Sequence, residues 1–175
     1  MRSMSSNERA KSGGGPDREA RETMLDQRST LSDVLMTGFA DRTGLTGKVA
    51  QRRYLWTDAF ALCNFLDRRD PQNQALATQL VQDVHRVLGR YPPDDQRTGW
   101  LSALPEAEGT AHPTLGGLRI GKPRPERGPD EAFDEQLEWD RDGQYFHYLT
   151  KWMHALDQQA RATKQPQLNV WARAC

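Results

Sequence analysis

Apolar residues recur along this chain at helical spacing, and their density changes sharply between segments. The densest stretch, Tyr54 to Leu66, is apolar nearly all round, which predicts a helix covered on all sides. Asp70-Pro71 follows it, an N-cap and a proline at the first helical position. The next helix is amphipathic: Leu76, Leu80, Val81, Val84, Val87 and Leu88 face inward, Gln79, Gln82, Asp83 and Arg86 face outward, and Gly89 suits its end. On that assignment His85 also points outward. The two segments make a helical hairpin with an inner and an outer member.

The pattern repeats near the C-terminus. An inner helix is predicted over Asp142–Ala162. Tyr145, Tyr148, Leu149, Trp152, Met153 and Leu156 share one broad face, and Gln144, His147, Lys151 and His154 share the opposite one. A turn at Thr163-Lys164-Gln165-Pro166 leads to an outer helix from near Gln167. Before the first hairpin, a helix from near Arg18 to Ala40 rests on sparse apolar positions, Met24, Leu31, Val34, Leu35 and Phe39.

Two segments break the periodicity. Residues 1–18, with serines, Gly13-Gly14-Gly15 and charges, read as a disordered tail. Residues 90–139 hold seven of the ten prolines, so this insert is either a functional loop or a linker. Leu118-Arg119-Ile120 within it could form a short strand. Gly116 to Lys122 has the glycine and lysine spacing of a phosphate-binding loop, but Pro123 follows where a hydroxyl and a helix start are needed, which argues against nucleotide binding.

Composition narrows the classes. The 175 residues suit one domain with or without a tail. Hydrophobic content is 36% and mean hydropathy −0.85, low for a compact globule. Net charge is zero with a pI near 6.9, so no basic footprint points to nucleic acid or an anionic membrane. No apolar run approaches a bilayer span, and no secretory h-region is present; the expected location is cytoplasmic. Cys63 and Cys175 have no metal or redox spacing. No metal and no cofactor are expected.

Chemistry concentrates at three places. Asp58, early in the apolar helix, either complements the helix N-terminus or points into a cavity as a general acid or base. Glu138, Asp140 and Asp142 precede the aromatic helix. One of the two aspartates is expected to be its N-cap, leaving Glu138 as the free acid beside Trp139. A tryptophan next to carboxylates suits a sugar, whose apolar face stacks on the ring while acids accept its hydroxyls; it is also a common structural pairing. His147, Lys151 and His154 form either a solvated face or a cavity lining, with Tyr145 adding aromatic width.

Arg52-Arg53-Tyr54-Leu55-Trp56-Thr57-Asp58-Ala59-Phe60 and the Trp139-to-Leu156 block resemble an uncharacterised group with the six-hairpin glycosidase-like, (α/α)6-toroid fold. The resemblance covers about residues 45–175. It implies an all-α chain, residues 19–175 forming part of a toroid, with the loop running over the mouth of its cavity. A complete toroid has many more helices than this length supplies, so the match is to an N-terminal partial copy. Its implied activity is carbohydrate binding, hydrolysis or epimerisation. No catalytic position carries over from the group; the residues themselves single out Asp58, Glu138 and His147 as candidate catalytic groups. Trp56, Trp139, Asp140, Tyr145 and Lys151 are the candidate substrate contacts. The competing reading is a non-catalytic helical interaction module, or an inactive truncated product, that self-associates or takes a protein partner through an exposed apolar flank.

Overall fold

The structure, a computed structural model, describes residues 16–128 and 130–175. The proposed tail lies outside the described residues except for its last three, which belong to the first helix. That helix, α1 (Pro16–Arg42), is followed by α2 (Leu55–Asp67), α3 (Pro71–Leu88), α4 (Glu106–Ala111), α5 (Glu135–Glu138), α6 (Phe146–Thr163) and α7 (Gln167–Ala174). The chain is all-α, with no strand among the described residues; the only sheet-like pairings there are isolated bridges at Arg90–Trp100 and Arg124–Arg141. No described helix is long and apolar enough to cross a membrane.

The described residues up to Leu35 and those from Met36 onward form two units. Within the first, α1 is supported by an i,i+4 ion pair, Arg18 with Glu22 at 2.9 Å, and by Thr30 donating to the Asp26 carbonyl.

The second unit is built on α2, α3, α6 and α7. Its buried core joins Leu55, Leu62 and Phe65 of α2 to Leu80, Val84 and Leu88 of α3. Trp152 and Leu156 of α6 and Leu168 of α7 complete it. Asp70 caps α3 as its sequence requires, accepting from the Asn73 N–H at 2.9 Å with Pro71 behind it. Lys164, at φ 57, closes α6 and turns the chain into α7.

Pairwise contacts set the directions. Tyr54 and Tyr148, at the starts of α2 and α6, join hydroxyls at 2.6 Å. Residues from the far ends of the same helices, Leu66 and Ala162, line one cavity. The two helices therefore run the same way. By contrast, Thr78 meets Gln159 and His85 meets Trp152, so α3 runs against α6. α2 and α6 are thus each followed by a return helix, α3 and the shorter α7, and α3 also lies against α6 and α7 through His85.

The structure corrects several of the local expectations. Asp83 and His85 are buried, not outward: the Trp152 indole N–H donates to His85 Nε2 at 3.1 Å, and burial holds the imidazole at a pKa of about 3, as the neutral acceptor this bond needs. α6 begins at Phe146, not Asp142, and neither Asp140 nor Asp142 caps it; the N-cap is Tyr145, with no side-chain bond. Nor is α2 covered all round, since Phe60 is 51% exposed. Leu118–Ile120 is extended but forms no strand, because its backbone bonds go to three separate places. Arg119 N–H donates to Leu88 O, Ile120 N–H to Gly143 O, and Ile120 O accepts from Leu55.

The insert is neither a free linker nor a structureless loop. Trp100, Thr114, Leu118 and Ile120 are buried. Thr114 donates to Trp171 O at 2.7 Å, and Trp171 Nε1 to Ala111 O at 2.9 Å, tying the insert to α7. The Arg119 guanidinium caps the end of α3, donating to Val87 O at 2.9 Å and Arg90 O at 2.6 Å. No helix follows Gly116–Lys122 until α5. Gly121, at φ 85, lies so close to the Arg53 carbonyl that a Cβ would collide with it. The insert is thereby held against the N-terminal ends of α2 and α6.

Candidate functional site

The parallel starts of α2 and α6 bring aromatic side chains together from opposite ends of the fold. Tyr148, one turn into α6, is the centre. Its ring lies 5.8 Å from Tyr54, 5.1 Å from Trp56, 6.0 Å from Tyr145 and 4.7 Å from His147. Most of these pairs are edge-on or tilted, the geometry that ring quadrupoles favour. Trp56 also contacts His147 at 6.2 Å and Phe60 at 5.7 Å. A cleft of about 200 Å³ opens beside this cluster, lined by Ile120, Lys122, Glu138, Trp139, Arg141, Tyr145, His147 and Tyr148.

The polar wall comes from the insert. Lys122 donates to the Trp139 carbonyl at 2.8 Å, with its Nζ 5.4 Å from the Trp139 ring and 5.6 Å from the Tyr54 ring. Glu138 sits between two guanidiniums: Oε1 is 3.0 Å from Arg127 Nε and 3.2 Å from Arg141 Nε. Arg141 also pairs with Glu131, which draws that carboxyl below its usual range. Trp139 itself is 79% exposed.

A charged groove of about 350 Å³ continues from the cleft and shares Glu138, Arg141 and Tyr145 with it. Its far wall is Asp142, whose Oδ1 accepts from the N–H groups of Gly121, Lys122 and Gly143 at 2.8, 3.3 and 3.0 Å. Its Oδ2 pairs with Arg119.

Of the residues singled out from sequence, Glu138, Trp139, Tyr145 and His147 line the cleft together. Trp56 joins them through Tyr148 and His147, and Lys151 Nζ lies 5.8 Å over the Trp56 ring. Asp140 is exposed beside them, its carbonyl accepting from Arg124 N–H. Asp58 does not share the cleft. Its carboxyl points onto Arg53 (Oδ1–Nη1 3.6 Å) and the Tyr54 N–H (3.1 Å to Oδ2), with a relative exposure of 0%. It completes the start of α2 and does not face a cavity. Burial nevertheless raises it to about 7, against the pull of Arg53.

Sequence reading missed Lys122, Arg127 and Arg141, because each lies in an aperiodic segment whose partners are distant in sequence. At the other end of α2 and α6, a wider cavity of about 630 Å³ is lined by Cys63 and His154 among others; burial raises the Cys63 thiol, away from reactivity. Both cysteines are free. Among the described residues no group of three or more His, Cys, Asp or Glu could hold a metal ion.

The Tyr54–Tyr148 pair offers a direct check on this geometry. Burial, and then the bond to Tyr148, push the Tyr54 hydroxyl up to about 12. Tyr148→Phe removes that bond, so Tyr54 is expected to ionise at lower pH, seen as an earlier tyrosinate absorbance rise. An unchanged titration would mean that the hydroxyls are not paired. No protein-family model, curated protein or solved structure matches the chain.

Proposed function

We propose that the cleft binds a sugar, and that α2–α3 and α6–α7 are two inner–outer hairpins of an (α/α) toroid of the six-hairpin glycosidase-like kind. The parallel α2 and α6, each followed by a return helix, support the architecture. The observation that carries the function is the convergence of Trp139, Tyr145, His147 and Tyr148 on one cleft beside Glu138. Aromatic faces take the apolar C–H face of a pyranose, while Glu138 accepts and Lys122 and Arg141 donate hydrogen bonds to its hydroxyls. Drug-sized pockets run to roughly 300–1,000 Å³; a cleft of about 200 Å³ suits one sugar unit, and the adjoining groove gives space for a second.

Binding is better supported than hydrolysis. Hydrolysis calls for two carboxyls about 5–9.5 Å apart on either side of the scissile bond, and Asp58, the intended partner of Glu138, is shut away with Arg53. Glu138 and His147 remain the groups of the cleft able to move a proton. The competing reading, a helical module covered by a second copy or a partner protein, draws on Phe146 at 78% and Phe60 at 51% exposure.

Thermal unfolding with and without monosaccharides, neutral and acidic, tests the proposal. A sugar at one hundred times its Kd stabilises by about 2.7 kcal/mol. Trp139→Ala is expected to weaken that binding at least tenfold while leaving the sugar-free midpoint nearly unchanged, because the ring is exposed. No sugar response in the wild type, or an unaffected response in the variant, would overturn the reading. Concentration-dependent sedimentation without any sugar response would favour the interaction module.

A further inference from the structure

We infer that the cleft selects a sugar bearing a carboxylate, with Lys122 as its main recognition cation and Lys151 as an outer one; this rests on the sugar-binding reading above. Most charges of the cleft and its groove are paired. Arg141 is paired with Glu131 and Glu138, and Arg127 with Glu138; in the groove Asp142 is held by Arg119, while Glu126 has no cation within ion-pair distance among the described residues. Lys122 and Lys151 are different: among the described residues neither has a carboxylate within ion-pair distance.

Lys122 is half-buried, and an ammonium has three donors. One goes to the Trp139 carbonyl, and the Tyr54 and Trp139 rings take up part of the remaining charge through their faces. Two donors are left at the edge of the cleft, where apolar rings exclude water and strengthen any ion pair. Glu138, the acid in the cleft, is already shared by two guanidiniums. Lys151, outside the cleft lining, adds a second positive charge over the Trp56 ring, which packs on Tyr148. A pyranose stacked on this aromatic surface therefore meets uncompensated positive charge at its edge.

A singly charged carboxylate fits better than a phosphate. A phosphate is bulkier than a carboxylate in a cleft of about 200 Å³, and Lys122 has only two free donors to meet its oxygens.

The test is calorimetric titration of the full chain with glucuronate, galacturonate, glucose, galactose, glucose 6-phosphate and acetate. The uronates are expected to bind at least tenfold more tightly than the neutral sugars. In Lys122→Gln that advantage should fall to about twofold or less, with a smaller loss for the neutral sugars, whose hydroxyls Lys122 also serves, and Lys122→Arg should retain most of it. Lys151→Gln should reduce it by a smaller factor that vanishes in high salt. Equal affinity for neutral sugars and uronates would overturn the charge selection while leaving sugar binding intact. Tighter binding of glucose 6-phosphate or of acetate would overturn it in favour of a phosphate or simple-anion site. No binding of any sugar would remove both readings.

Discussion

Alanine at Arg53 is expected to lower the stability of the second unit by about 3 kcal/mol, the cost of two lost charge-assisted hydrogen bonds and of the space left by a buried side chain. The Arg53 side chain is fully buried. Its guanidinium donates to the Thr43 carbonyl at 2.6 Å and to its own neighbour's carbonyl at 2.8 Å, and faces Asp58 at 3.6 Å. It therefore ties the end of α1 to the start of α2 while compensating a carboxylate with 1% side-chain exposure. Its removal leaves Asp58 in a closed site with only the Tyr54 N–H in support and with the negative charge of Asp83 nearby.

The same pair predicts a pH dependence. Burial raises Asp58 to about 7 from an ordinary value of 3.8. Between those values the folded chain holds a proton that the unfolded chain has lost. The stability this confers is complete below about pH 4 and is lost as pH rises through 7. Asp58→Asn keeps the shape and removes the proton. Urea midpoints compared from pH 4.5 to 8 should therefore show a downward slope in the wild type that is absent in Asp58→Asn. Parallel pH profiles for the two proteins would contradict a raised Asp58. In Arg53→Ala the loss of the cation pushes the carboxyl higher still, so the falling limb should move to more alkaline pH.

The second large effect is expected at Asp142. Alanine there leaves the Gly121, Lys122 and Gly143 amides without their acceptor and the Arg119 guanidinium without its counter-ion. Each buried donor left unpaired costs about 1–3 kcal/mol, and more for a charged one. A loss of about 3 kcal/mol is expected even after water reaches some of them. The loss should be local first. Hydrogen exchange at Gly121, Lys122 and Gly143 should accelerate far more than at Leu62 or Phe65, since the α2 core does not touch this carboxyl. Asp142→Asn, which keeps a carbonyl acceptor but loses the charge, should fall between wild type and alanine. Uniform acceleration across the unit would mean that Asp142 supports the whole core and not the insert alone. Because Lys122 and Trp139 ride on the insert, Asp142→Ala should also weaken sugar binding without touching a cleft contact.

These two residues also mark where reading the sequence succeeded and where it stopped. The existence and order of α2, α3, α6 and α7 were legible, because each is written in residues three and four apart that meet on one helical face. The Asp70-Pro71 start of α3 was legible for the same reason: a cap and its amide lie within one turn. The start of α6 was not. Asp142 has the chemistry of an N-cap, but the amides of Gly121 and Lys122 compete for it, and the chain stays extended to Tyr145 before the helix begins. Asp83 and His85 read as outward because polarity usually marks the solvent face. Trp152, from a helix sixty-seven positions along the chain, decides otherwise for His85.

For the candidate site the division is similar. Glu138, Trp139, Tyr145 and His147 stood out because they lie close together in one stretch, and that stretch does line the cleft. Asp58 stood out as a carboxylate in an apolar helix, yet whether it faced a cavity or a cation depended on where Arg53 pointed. The parallel packing of α2 and α6, the burial of Asp58 and the arrival of Lys122 beside Trp139 were decided only in three dimensions. Local sequence determined which segments are helical, how the hairpins turn and where aromatic and acidic residues concentrate, since those depend on interactions within a few residues. Tertiary structure decided which charges are paired and which are left over, because a charge's partner is set by the fold that brings distant segments together, and burial then fixes what an unpaired charge costs.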